Sequence, residues 1–136
     1  MRLVTTSVIF HHSASKDVPI EEIAQWHKAR GFKEIGYHFV IHRDGRLEVG
    51  RDVNKIGAHA QGRNWYSIGV CLLGHMDFVF PTAAQVMTAK TIYIKLCKDY
   101  KKKLTVSFHH ANCPGKHLNR ELFKKMLEES YATANL

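Results

Sequence analysis

Two histidine pairs and one cysteine are the residues best placed to do chemistry. His11-His12 and His109-His110 each stand where a strand-like run meets a loop, in a chain that carries ten histidines among 136 residues. Neighbouring strand residues point to opposite faces, so only one member of each pair can serve a common site. His11 shares its face with Thr5, Ser7 and Ile9, whereas His12 goes with Val4, Val8 and Phe10. The same alternation places His109 with Thr105 and Ser107, and His110 with Leu104, Val106 and Phe108. His11 and His109 are therefore the polar-face members. Cys113 follows His109 by four residues in the loop Asn112-Cys113-Pro114-Gly115, within reach of the same point.

Two imidazoles and a thiolate suit zinc, and a fourth position left to water makes such a site catalytic in type. Zinc brings the pKa of a coordinated water to about 7 and polarises a carbonyl, so amide hydrolysis is within its chemistry. Tyr37 could supply the hydroxyl that steadies an oxyanion. A plainer reading stands beside this one: buried hydrogen-bonding histidines, an incidental cysteine and a packing tyrosine.

The elements that must position these residues follow from pattern. Residues 3–10 are rich in β-branched and aromatic types and predict a strand ending at His11-His12. Pro19 suits a first helical position, and Ile20, Ile23, Ala24 and His27 recur at helical spacing until Gly31, which predicts a helix over 19–30. Asp44-Gly45 between two apolar runs, Tyr37 to His42 and Arg46 to Val49, predicts a hairpin. Residues 51–66 have no period and contain Gly57, Gly62 and Asn64, as a long functional loop would. Ser67 to Leu73 reads as a central strand, Thr82 caps a long helix to Tyr100, Leu104 to Phe108 is a further strand, and Asn119 caps a last helix. The order implies an α/β fold: a single domain, residues 1–136, with a central mixed β-sheet flanked by three α-helices and the zinc site at strand ends.

Composition narrows the rest. Three cysteines, Cys71, Cys97 and Cys113, form no C-x-x-C pair, so a disulfide framework is not expected, and Cys71 and Cys97 read as small core residues. The net charge of +8 favours anionic surroundings, including envelope phosphates. The basic residues are scattered, however, and no groove-reading motif accompanies them, so no specific nucleic-acid partner is expected. No apolar run is long enough for a membrane span, and no signal peptide is recognised, so synthesis in the cytoplasm is expected. A monomer is expected.

Ordered blocks along nearly the whole chain carry a resemblance. They are Phe10-His11-His12-Ser13-Ala14, Ile23-Ala24-Gln25-Trp26-His27, Gly36-Tyr37-His38-Phe39, Arg43-Asp44-Gly45, Gly50-Arg51-Asp52, Gly57-Ala58-His59-Ala60, Ser67 to Leu72 and Cys113-Pro114-Gly115. With these blocks the sequence resembles the type 2 N-acetylmuramoyl-L-alanine amidases, particularly the small phage-lysozyme members, and more distantly the peptidoglycan recognition proteins. The resemblance implies zinc (Zn2+) held by His11, His109 and Cys113, with Tyr37 at the tetrahedral intermediate. It also implies bacterial peptidoglycan as substrate, contacted by His59, Asn64 and Trp65, and cleavage between the lactyl group of muramic acid and L-alanine. A phage or prophage source fits, with action on the cell wall after release or non-classical export. The alternative is a non-catalytic peptidoglycan-binding module of the same fold. One departure stands out: family members have a longer loop before the cysteine, with lysine or threonine two residues ahead of it, where this chain has Ala111. Lys116 is the expected substitute, and His110 a second candidate.

Overall fold

Strand β1, Ser7–His12, is buried along its whole length and lies beside the central strand of a five-stranded sheet in the computed structural model, which describes residues 1–134. It pairs in parallel with β4, Ser67–Leu72, on one side and with β5, Thr105–Phe108, on the other. Beyond β4 lie β2, Phe39–Ile41, parallel to it, and then the antiparallel edge strand β3, Leu47–Val49, giving the order β3-β2-β4-β1-β5. The sheet is thus mixed, as the element order implies. The turn joining β2 to β3 is made by Asp44-Gly45, with Gly45 at a φ of +91° that side chains disfavour.

Three helices cover it: α1, Ile20–Ala29; α2, Ala83–Tyr100; and α3, Arg120–Ala134. α2 begins with a reciprocal cap, in which Thr82 Oγ1 accepts from the Gln85 N–H and the Gln85 side chain accepts from the Thr82 N–H. The fully buried Gln85 amide also donates to the carbonyls of Ile41 and Leu73, locking this helix start onto the ends of β2 and β4.

Alternate residues of the strands separate two packed regions. Val8, Phe10, Phe39, Ile41, Ile68, Val70 and Leu72 face α2 and α3 and form the large core with Tyr93, Leu96, Phe123 and Leu127. On the opposite face Val40, Cys71 and Leu73 meet Ile23 of α1 and Ile35 in a much smaller cluster. That face has room left for polar side chains.

The first strand starts later than its sequence pattern suggests. Leu3 and Val4 are exposed, and the chain here is directed instead by the buried Arg2, whose guanidinium donates to Thr5 Oγ1, to the Lys55 carbonyl and to the Tyr100 hydroxyl. A β-rich composition without a neighbouring strand to pair with does not make a strand.

Candidate metal centre and groove

β1 and β5 run side by side in parallel, and their C-terminal ends bring His11 and His109 together with ring centroids 4.6 Å apart. The chain then reverses: the His110 N–H donates to the Cys113 carbonyl at 3.0 Å and the Cys113 N–H donates back to the His110 carbonyl at 3.1 Å. This tight turn swings the Cys113 thiol inward, so that one ligand atom from each of His11, His109 and Cys113 lies within 4.8 Å of the others. The polar-face histidines are the ones brought together. His12 points into the other side of the sheet, where its Nδ1 accepts from the Met76 N–H.

The turn is held from outside. Nη2 of Arg120, the first residue of α3, donates to the carbonyls of His110, Ala111 and Pro114 at 2.9, 3.2 and 2.7 Å. A cation is poorly placed for the dipole of a helix start, so these carbonyls are the more telling partners of Arg120. From the other side Arg63 Nη1 donates to the carbonyls of Phe108 and His109 at 2.9 and 3.0 Å.

The donor set fits a borderline-soft divalent cation. Burial first, then the neighbouring His59 and His109, holds His11 well below the usual imidazole range, and burial likewise lowers His109. Both rings are thus neutral and able to offer a lone pair. Burial pushes the Cys113 thiol up, so its sulfur keeps a proton unless a cation displaces it, which zinc does on coordination.

Beside this cluster opens a groove of ≈ 450 Å³ whose walls include His27 and Arg30 of α1, Phe32, Tyr37, His59 and His109. The Tyr37 ring lies 5.0 Å from that of His11 and 5.1 Å from that of His27. Burial, then the thiols of Cys71 and Cys113, raises the Tyr37 hydroxyl well above its ordinary range, so it remains a donor at neutral pH. Cys71, which reads as a plain core residue, is therefore also a neighbour of this hydroxyl.

His59, Asn64, Trp65 and Lys116 are placed less uniformly. His59 reaches the groove wall but is only 8% exposed, with Nδ1 2.8 Å from His11 Nε2. Asn64 also lines the groove, yet its Oδ1 accepts from the N–H groups of His59 and Ala60, leaving its amide NH2 for a ligand. Trp65 is 58% exposed and lies outside the groove lining, edge-on to Tyr66. Lys116 is likewise outside it: this exposed residue follows the Cys113 turn on the side where its N–H donates to Asp77 Oδ1. The short turn therefore brings no lysine to the groove wall, and His110, also exposed, has its Nδ1 engaged by the Asn112 N–H.

Comparison with known proteins gives the chain its relatives. The sequence model of the N-acetylmuramoyl-L-alanine amidase family matches residues 2–116. The chain belongs to this family. It is 37% identical over 130 residues to the endolysin of Klebsiella phage KP32, covering 88% of this chain and 86% of that protein. Among solved structures, the N-acetylmuramoyl-L-alanine amidase LysC from Clostridium intestinale superimposes with a TM-score of 0.86 at 28% identity, over 91% of this chain and 85% of its own. The ectodomain complex of the peptidoglycan recognition proteins LCa and LCx bound to tracheal cytotoxin matches with a TM-score of 0.80 at 26% identity, over 92% and 84%.

Pattern reading of this amidase-family chain missed His27, Arg30, Phe32, Arg63, Ser67 and Arg120. His27 did leave a signal, since a histidine among Ile20, Ile23 and Ala24 on the inward face of a helix needs a polar partner. It finds one in the Gly36 N–H, 2.7 Å from Nδ1. Arg63 and Arg120 act on backbone carbonyls, which no side-chain pattern announces.

Proposed function

We propose that residues 1–136 form one zinc-dependent N-acetylmuramoyl-L-alanine amidase domain, which hydrolyses the bond between the lactyl group and L-alanine of bacterial peptidoglycan and acts as a monomer on the cell wall after release from the cytoplasm. The convergence of His11, His109 and Cys113 beside the groove carries this reading, and family membership and the phage endolysins support it. His11, His109 and Cys113 would hold the zinc, which when bound supplies an activated water and a Lewis acid for the amide carbonyl.

The chain's own residues do the remaining work. Tyr37, kept protonated by burial, donates a hydrogen bond to the oxygen on which negative charge develops. His59 holds the back of the His11 ring, and the Asn64 amide contacts the stem peptide at the groove wall. Arg30 is the cation of that wall, where its guanidinium lies 5.2 Å from the Phe32 ring centre, and it suits a peptide carboxylate.

The second reading, a peptidoglycan-binding module without turnover, is favoured by the groove's lack of a lysine from the Cys113 turn. Digestion of defined muropeptides separates the two. Release of free L-alanine amino ends is expected, abolished by chelator and by Cys113→Ser and restored to chelated parent by zinc. Binding without release would leave only the module, and cleavage undiminished in chelator would remove zinc from the mechanism.

A further inference from the structure

The segment from Gly57 to Ser67 walls the groove, but its hydrogen bonds run inward. Ser67 Oγ lies 2.7 Å from the Arg63 carbonyl, a group that only accepts, so the hydroxyl proton is committed there. The same oxygen can then meet His59 Nε2, 3.3 Å away, only by accepting, which places a hydrogen on Nε2. The ring partners of the buried His59 are the Ser67 hydroxyl and the His11 imidazole, neither of them an anion that would hold a second proton on it, so the ring is neutral. A neutral imidazole has a single N–H, so His59 Nδ1 is a bare lone pair. It faces His11 Nε2 at 2.8 Å, and His11 must therefore be the donor. That leaves His11 Nδ1 bare, and Nδ1 is the atom that lies 4.0 Å from Cys113 Sγ.

We propose that Ser67 and His59 form a hydrogen-bond relay, anchored on the Arg63 carbonyl, that fixes His11 as its Nε2–H tautomer and presents its Nδ1 lone pair to the metal position. His59 is then a positioning residue, and the proposal rests on the reading that His11, His109 and Cys113 hold a metal. An outer partner that sets the tautomer and angle of a ligand histidine is a general requirement of metal sites. Here the partner is another imidazole, which can pass the constraint on because its own far side is already spoken for.

The backbone is shaped for this ring. A Cβ on Gly69 would lie 2.5 Å from His59 Cγ, and one on Gly57 2.7 Å from His59 Cδ2. Two glycines thus leave the slot that the imidazole fills. Asn64 Oδ1 accepts from the His59 N–H, fixing the same residue from its main chain. Arg63, whose carbonyl ends the relay, grips the His109 backbone with its guanidinium, so one segment braces both ligand histidines.

The test reads the imidazole nitrogens directly. In 15N-labelled, metal-free protein at neutral pH, long-range proton–nitrogen correlations should show His11 and His59 both as neutral Nε2–H tautomers. His59→Phe should weaken zinc binding about 10- to 100-fold against a competing chelator, and His59→Gln, whose carbonyl oxygen can accept from His11, should recover part of it. Ser67→Ala, which deletes only a hydroxyl, should give mixed tautomers at both rings and serves if His59→Phe does not fold. A purely structural role would lower the melting temperatures of metal-free and zinc-loaded protein equally and leave zinc affinity unchanged, which would overturn the relay. So would a parent His11 protonated on Nδ1. A parent that shows the Nε2–H pair but takes up no zinc keeps the relay and overturns the metal reading instead.

Discussion

The two faces of one sheet have been put to different uses by alternate residues of the same strands. His12 shares the α2 and α3 side with Val8 and Phe10, where its ring accepts from the Met76 N–H. His11, one residue earlier, looks into a face where His27, His38 and His59 are also buried and the apolar cluster is small. The first face is a closed hydrocarbon core, which sets stability. The second is a buried polar layer whose rings must stay neutral and oriented, which sets chemistry. Substitutions on the two should therefore separate cleanly by readout.

The largest contrast is between Phe10→Ala and Cys113→Ser. Phe10 is fully buried and meets Phe123 edge-on at 4.9 Å, so its truncation should cost about 3–5 kcal/mol in urea unfolding. Cys113→Ser should leave the stability of metal-free protein within about 1 kcal/mol while removing zinc uptake and muropeptide cleavage together. Equal losses of stability from both changes would collapse the distinction between the faces. Tyr37→Phe comes next: it keeps the packing against His11 and His27 but removes the hydroxyl, and kcat should fall by about 10²–10³-fold with KM little changed. A fall in KM-limited binding alone would make Tyr37 a groove wall and no more.

The core face was open to reading from the residues because it obeys periods. Strand alternation and helical spacing place Val8, Phe10, Leu96 and Leu127, and Thr82 and Asp44-Gly45 mark where elements begin and turn. Strand parity even separates His11 from His12 and His109 from His110. The bracing of the site is a different matter. Arg63 binds carbonyls 45 and 46 residues away and Arg120 carbonyls 6 to 10 residues away, and the Ser67 to His11 relay crosses three segments. Such contacts depend on tertiary placement and have no local signature. Lys116 illustrates the same point from the other side, since closeness in sequence to Cys113 did not bring it to the groove wall.

Acid should distinguish the faces again. Burial, as the first cause for each, holds His27 and His38 at about 4 and His59 at about 3, against about 6.5 in an unfolded chain. These values are depressed, so the stability they confer is fully present above pH 6.5 and is lost as pH falls toward the folded values, where the unfolded chain binds more protons. A depression from 6.5 to about 4 corresponds to on the order of 3 kcal/mol for one ring once both values have been passed. Urea midpoints of metal-free protein should decline steeply below pH 6.5, and His27→Gln, which can still accept from the Gly36 N–H, should flatten part of the slope. Midpoints level down to pH 5 would show that these rings do not need to stay neutral.

His42 should give the smallest effect, and one of opposite sign. It sits at the end of β2 with 1% of its surface exposed, its Nδ1 2.6 Å from Asp17 and its Nε2 2.7 Å from Glu48. Burial alone would lower its pKa, but hydrogen bonds to the two carboxylates outweigh that and raise it. Burial likewise opposes the carboxylate of Asp17, and the hydrogen bonds from His42 and the Arg43 N–H outweigh it in the other direction. A raised histidine contributes fully below about pH 6.5 and loses its contribution as pH rises through the folded value, whereas a lowered aspartate contributes above about pH 3.9 and loses it as pH falls through its folded value. The clasp that ties the Ser13–Val18 loop to the β2–β3 hairpin is therefore complete between those limits. His42→Gln should lower the urea midpoint most near pH 5.5, by less as pH rises past 7 and the parent loses its imidazolium. A difference between parent and variant that stayed constant from pH 5.5 to 9 would mean that His42 serves as a neutral hydrogen-bonding ring, like those on the groove side.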